Sequence, residues 1–146
     1  MTAVGEIEYL TEATCLRLLK TVRVGRVALT RHALPVVLPV SFALDGTSIV
    51  LRTTRDSVLD ASRDEVVVAF EAGELDPDSG SGWSVLVTGT MQKITERSAI
   101  LRAQQLRPTP WPGNDSHLFV RIAPGLVSGS RVEHRSDQQE VWPALA

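Results

Sequence analysis

The 146-residue chain has one cysteine, Cys15, and its only lysines are Lys20 and Lys93. A lone cysteine excludes an intrachain disulfide and any metal site built from several thiolates. The scarcity of lysine places nearly all of the positive charge on arginine, the side chain suited to bidentate anion contacts. No stretch approaches the roughly 18 uninterrupted apolar residues of a membrane span. The segment Met1 to Glu8 carries acids and no base, so it lacks the basic and apolar regions of a secretory signal. These absences predict a soluble, cytoplasmic protein. With 15 basic and 17 acidic residues the formal net charge is −2, which gives no electrostatic reason to expect nucleic acid or an anionic membrane as a partner.

Catalytic signatures are missing as well. There is no GxxxxGK[ST] phosphate loop, no GxGxxG at a strand–helix junction and no GxSxG elbow. His32, His117 and His134 stand alone, without carboxylates at metal-ligand spacing, and read as surface or satisfied core histidines. Cys15 falls on the apolar side of a helical pattern and reads as a buried structural thiol. Asp76 and Asp78 flank Pro77 in a solvated loop. A chain of this kind is either a binding module or a protein whose cofactor carries the chemistry.

What is present is a strand-rich pattern. The length predicts one domain over residues 1–146, with a core over about 8–132 and a tail over 133–146. Thr11 is placed to cap a helix over 12–21, where Cys15, Leu18, Leu19 and Val22 recur at helical spacing. Gly25–Thr30, Pro35–Leu44, Ser48–Thr54, Glu65–Glu71, Trp83–Ile94 and Leu118–Ile122 read as strands, with Val127–Glu133 extending or pairing the last. Pro35 and Pro39 suggest an edge or a bulge. Asp45-Gly46 signals a hairpin, Gly89 a bulge, and residues 72–82 a loop. One or two helical turns are expected at 56–63, and a helix at 96–106. The fold class predicted is mainly β, a small barrel with short flanking helices.

The runs Gly25-Arg26-Val27-Ala28, Pro35 to Phe42, Asp45-Gly46, Leu51-Arg52-Thr53-Thr54 and Gly82-Trp83-Ser84-Val85-Leu86-Val87-Thr88-Gly89 follow one another in an order and spacing that resembles the pyridoxamine 5'-phosphate oxidase-like flavoproteins. These are FMN-binding split β-barrels, among them flavin- and deazaflavin-dependent reductases. The resemblance covers roughly residues 8–132 and implies a six-stranded split barrel, a homodimer and flavin sites at the dimer interface.

Carried over residue by residue, it puts Pro39, Val40, Ser41 and Phe42 along the flavin ring. Arg52, Thr53 and Thr54 would meet the ring edge, ribityl chain or phosphate, and Arg55 and Ser57 the phosphate. Trp83 and Ser84 would close the site from the other subunit's side, with Arg131 near flavin or substrate. Where relatives carry a Gly-Ser-Lys-like run, this chain has Asp56-Ser57-Val58, so anion binding rests on Arg52 and Arg55. The implied function is an FMN-dependent oxidoreductase passing a hydride to or from a small organic substrate, with no side chain acting as nucleophile. The alternatives are a reductase using the deazaflavin F420 and a non-enzymatic flavin-binding or storage dimer. Arg131 to Arg135 only loosely matches the substrate-holding arginine and histidine of the true pyridoxamine phosphate oxidases.

Overall fold

Alternating burial along the strands sets the architecture. The computed structural model describes residues 6–53, 59, 65–106, 108 and 118–134. In chain order the elements are β1 (Glu6–Tyr9), α1 (Glu12–Leu19), β2 (Val24–Arg31), β3 (Leu34–Asp45), β4 (Ser48–Thr53), β5 (Val66–Leu75), β6 (Gly82–Lys93), α2 (Arg97–Leu106) and β7 (Leu118–Glu133). Every strand pairing is antiparallel. The sheet runs β1-β7-β4-β3-β2-β5-β6, and a further β6–β7 ladder closes six of its strands into a ring. The split barrel implied by the resemblance is therefore the fold, with β1 added at its margin.

The split has a visible cause. One edge of β7 pairs with β6 from Val120 to Val132. Its other edge pairs with β4 only over Leu118–Ile122 and with β1 only over Ser130–Glu133. Between these stretches the Leu10 N–H donates to the Gly129 carbonyl at 2.9 Å, and α1 packs against β7 and β6. The seat is close: a Cβ on Gly129 would lie 2.8 Å from the Cys15 sulfur. Cys15 is buried, as expected, and burial pushes its thiol above the ordinary range. Thr11 caps α1, its hydroxyl accepting from the Thr14 N–H at 3.2 Å. The helix stops at Leu19 and Lys20, short of the predicted Thr21.

Inside the barrel, Val27, Phe42, Leu51, Phe70, Val85, Val87 and Ile122 form the main core. Phe42 and Phe70 meet edge to face with centroids 4.8 Å apart. Each fully buried side chain of this size contributes on the order of 1.5–3 kcal/mol. Gly25 lies in β2, where it makes room for this pair: a Cβ there would meet the Phe70 ring at 2.5 Å. A second, smaller core lies outside the ring, where α2 brings Ala103 onto Val50, Ile94 and Phe119. Arg102 of α2 forks onto Asp45 at 2.6 and 2.9 Å, and Arg121 reaches the same carboxylate at 3.3 Å.

Several segments differ from expectation. β5 continues to Leu75, into the predicted loop, because Gly73 and Gly82 allow the backbones of β5 and β6 to close on each other. β7 is one strand through Pro124 and Gly125. Its register against β6 jumps at Thr88/Gly89, so Gly125 is an extra residue and Pro124 sits where the ladder is already interrupted. The bulge predicted at Gly89 is this irregularity. The predicted turns at 56–63, apart from Leu59, lie outside the described residues.

Candidate functional site

β3 and β4 bring together one group of the predicted residues. Ser41 and Arg52 are direct cross-strand partners. Both point away from the barrel interior: their neighbours Val40, Phe42 and Leu51 face the core, and the Arg52 guanidinium lies 5.7 Å over the ring of Phe119 in the outer core. Ser41 is 1% exposed and Thr53 8%, and they are the buried polar residues among those described. Neither hydroxyl has a hydrogen-bond partner among the described residues. Buried polar groups are nearly always satisfied, so two such hydroxyls on adjacent strands require an explanation. Pro39 is exposed on the same outer face, while Val40 and Phe42 are core residues. Thr54, Arg55 and Ser57, with the Asp56 and Val58 that depart from the expected pattern, lie outside the described residues.

β6 and β7 bring together a second group. Trp83 is the register partner of Arg131, and Ser84 follows on the outer face. Trp83 stands between two hollows and lines both. One, of about 440 Å³, is also lined by Arg26, Glu71, Ser84 and Ser130. The other, of about 270 Å³, is lined by Arg131, Glu74, Asp76 and Glu133. Ser84 donates to Glu71 Oε1 at 3.1 Å, and Arg26 reaches Oε2 at 3.4 Å. Arg26 and Glu71 were not singled out for a role in the sequence. The signal for them is register, since Arg26 pairs across strands with both Pro39 and Glu71, and a linear pattern does not display register.

The two groups do not meet within one chain. In the ring order β7-β4-β3-β2-β5-β6, strands β3 and β6 are three steps apart in either direction, on the order of 14 Å along the sheet. Ser41 and Arg52 face outward on one side of the closed barrel, Ser84 faces outward on the other, and Trp83 packs against the core from β6, so the two groups cannot touch one small ligand.

The outer face between them is apolar and open. Val37, Ala28, Ala69, Thr88 and Leu126 form one continuous row of cross-strand partners over five strands. Val37 is 60% exposed and Leu126 74%, with Val67 and Leu86 exposed beside them. Among the described residues no group of three or more His, Cys, Asp or Glu is placed to hold a metal ion, and no helix is long and apolar enough to cross a membrane.

Known proteins match this chain along most of its length. Residues 11–131 fit the family model described as pyridoxamine 5'-phosphate oxidase. The uncharacterized protein Rv0080 of Mycobacterium tuberculosis is 35% identical over 132 residues, covering 87% of this chain and 86% of its own. Among solved structures, an FAD-binding protein from Mycobacterium smegmatis is 26% identical with a TM-score of 0.72, covering 86% of this chain and 98% of its own. A Corynebacterium glutamicum protein, named as a candidate pyridoxamine 5'-phosphate oxidase, is 28% identical with a TM-score of 0.78, covering 94% of this chain and 100% of its own. The closed six-strand ring and a family match running from α1 to the far end of β7 lead to one conclusion: the chain belongs to the pyridoxamine 5'-phosphate oxidase family.

Proposed function

We propose that this protein is a flavin-dependent oxidoreductase whose cofactor site is completed by a second copy of the chain. The observation that carries the reading is the outward Ser41–Arg52 pair, with a buried hydroxyl that has no partner among the described residues beside a guanidinium. These groups fit a flavin: Ser41 supplies a hydroxyl for its polar edge, and Arg52 supplies donors to a carbonyl or a phosphate. Arg55 and Ser57 are proposed for the phosphate. Trp83, Ser84 and Arg131 belong to the opposite side of the barrel, so they enter the same site only from a partner. The open row from Val37 to Leu126 is a suitable surface for that partner, because an exposed contiguous apolar patch marks an interaction site. The similarity to an FAD-binding protein supports the flavin assignment.

When bound, the flavin supplies the hydride-transferring atom, and the protein binds and orients it. Arg52 lies over Phe119, its guanidinium carbon 5.7 Å from the ring centroid. The Arg26–Glu71–Ser84 chain holds the rim beside Trp83. A small organic substrate would enter through the hollow at Trp83.

The test is an absorption spectrum of the purified protein, followed by titration with FMN, FAD and F420 while Tm is recorded. A visible flavin band, or a saturable rise in Tm with one of these cofactors, supports the reading. A colourless protein whose Tm responds to none of them overturns it.

A further inference from the structure

A third hollow, of about 540 Å³, lies beside Phe42, Ala43 and Leu44 near the end of β3. It opens between the ends of α1 and α2. Its floor is apolar, formed by Leu19, Phe42, Leu44 and Leu106, and its rim carries Lys20 and Arg23. The volume is that of an ordinary small-molecule pocket, and it exceeds either hollow beside Trp83.

The charges are one-sided. Among the described residues, no acidic residue lines the cavity. Neither Lys20 nor Arg23 has an ionic partner among the described residues. A cation at a helix C-terminus is ordinary, since it complements the helix dipole, and this accounts for Lys20 at the end of α1. It does not account for Arg23, which lies beyond the helix. The backbone beneath both residues is fixed. Lys20 and Thr21 donate to the last turn of α1, and the Arg23 carbonyl accepts from the Phe42 N–H at 3.0 Å. Two cations on hydrogen-bonded backbone beside apolar side chains, with no acidic residue in the lining among the described residues, match the charged head and the apolar body of an amphiphilic anion.

We propose that this cleft binds an organic anion with an apolar body, its carboxylate or phosphate between Lys20 and Arg23 and its hydrocarbon on Leu19, Phe42, Leu44 and Leu106. The charge-assisted bonds fix the head and the floor desolvates the tail. Such an anion has two sources: a free amphiphilic carboxylate, or the pyrophosphate and adenosine of a flavin dinucleotide running along β3 past Ser41. The site itself does not depend on the flavin reading, and only the second source rests on it.

The test is calorimetric titration of the full-length protein with decanoate, with decanol as the uncharged control. Decanoate should bind saturably at one site. Decanol, and the Lys20→Gln/Arg23→Gln variant titrated with decanoate, should bind about tenfold more weakly, the loss of roughly one charge-assisted hydrogen bond. Both substituted side chains are exposed, so the variant should keep its circular dichroism spectrum. Lys20→Arg should retain decanoate binding. Displacement of decanoate by FAD but not by FMN would assign the anion to the dinucleotide, and no displacement by either would assign it to a separate carboxylate. Equal affinity for decanol, unchanged binding by the double variant, or no saturable binding would overturn the proposal.

Discussion

Among the described residues the barrel presents two apolar outer faces, and only one of them is covered by a helix. Around Val50 and Phe119, α2 lies down with Ala103 and Ile100, and Arg102 locks it to the β3–β4 hairpin through Asp45. Along Val37, Ala28, Ala69, Thr88 and Leu126 no helix lies among the described residues, and Val37 and Leu126 stand more than half exposed. The same strand alternation produces both faces. The lesson is that alternation specifies the inner face alone, while an apolar outer residue records that something else must pack there. On the first face that partner is α2. On the second, the proposed partner is another copy of the chain.

The largest expected effect tests the covered face. Phe119→Ala removes a ring that is 4% exposed and underlies both α2 and Arg52. It should cost about 3–5 kcal/mol in urea unfolding. A cost below about 1 kcal/mol would mean that α2 does not depend on this core.

Gly25→Ala should cost about 1–3 kcal/mol, because the new methyl meets the Phe70 ring and the sheet backbone beneath it. An unchanged urea midpoint would contradict the close approach.

On the open face, Leu126→Asp should leave the chain's circular dichroism unchanged and halve its mass by light scattering. An unchanged mass would remove this face from the dimer. In the unsubstituted protein, Tm should rise with protein concentration, as it does for any folded state stabilised by association.

The smallest effect belongs to the Asp45 clamp. The Arg102 hydrogen bonds first, and Arg121 second, hold the Asp45 carboxyl below its ordinary range against the opposing effect of burial. A depressed folded-state value means that the stabilisation is complete above the ordinary carboxylate range, near pH 4. It is lost as pH falls through the lower folded value. Asp45→Asn should therefore lower Tm by a few degrees at neutral pH and flatten its decline in acid. Identical acid profiles for the two proteins would contradict the clamp.

Much of the barrel was legible because inward alternation and turn chemistry are local. Asp45-Gly46 announced its hairpin, and Gly46 has the positive φ of 60° that its turn needs. The β2–β3 hairpin was not legible, since its turn forces His32 and Ala33 to φ of 51° and 63°, which neither residue type advertises. β1 was missed because its residues are exposed on both faces and leave no alternation to detect. The continuity of β7 was hidden by Pro124 and Gly125, which read as a break until the bulge against β6 is seen. In the candidate site, Ser41 and Arg52 were found by resemblance, and the structure adds that they are register partners and that the Ser41 hydroxyl is buried without a partner among the described residues. Arg26 and Glu71 escaped because their pairing spans strands distant in sequence. The opposition of β3 and β6 is likewise a property of ring closure and not of any segment.

Native mass spectrometry of the purified protein, after incubation with FMN, FAD and F420, tests the shared flavin site most directly. It reads assembly and bound cofactor together. The account predicts a species of two chains carrying two molecules of one of these cofactors. A single chain with no cofactor attached would contradict it.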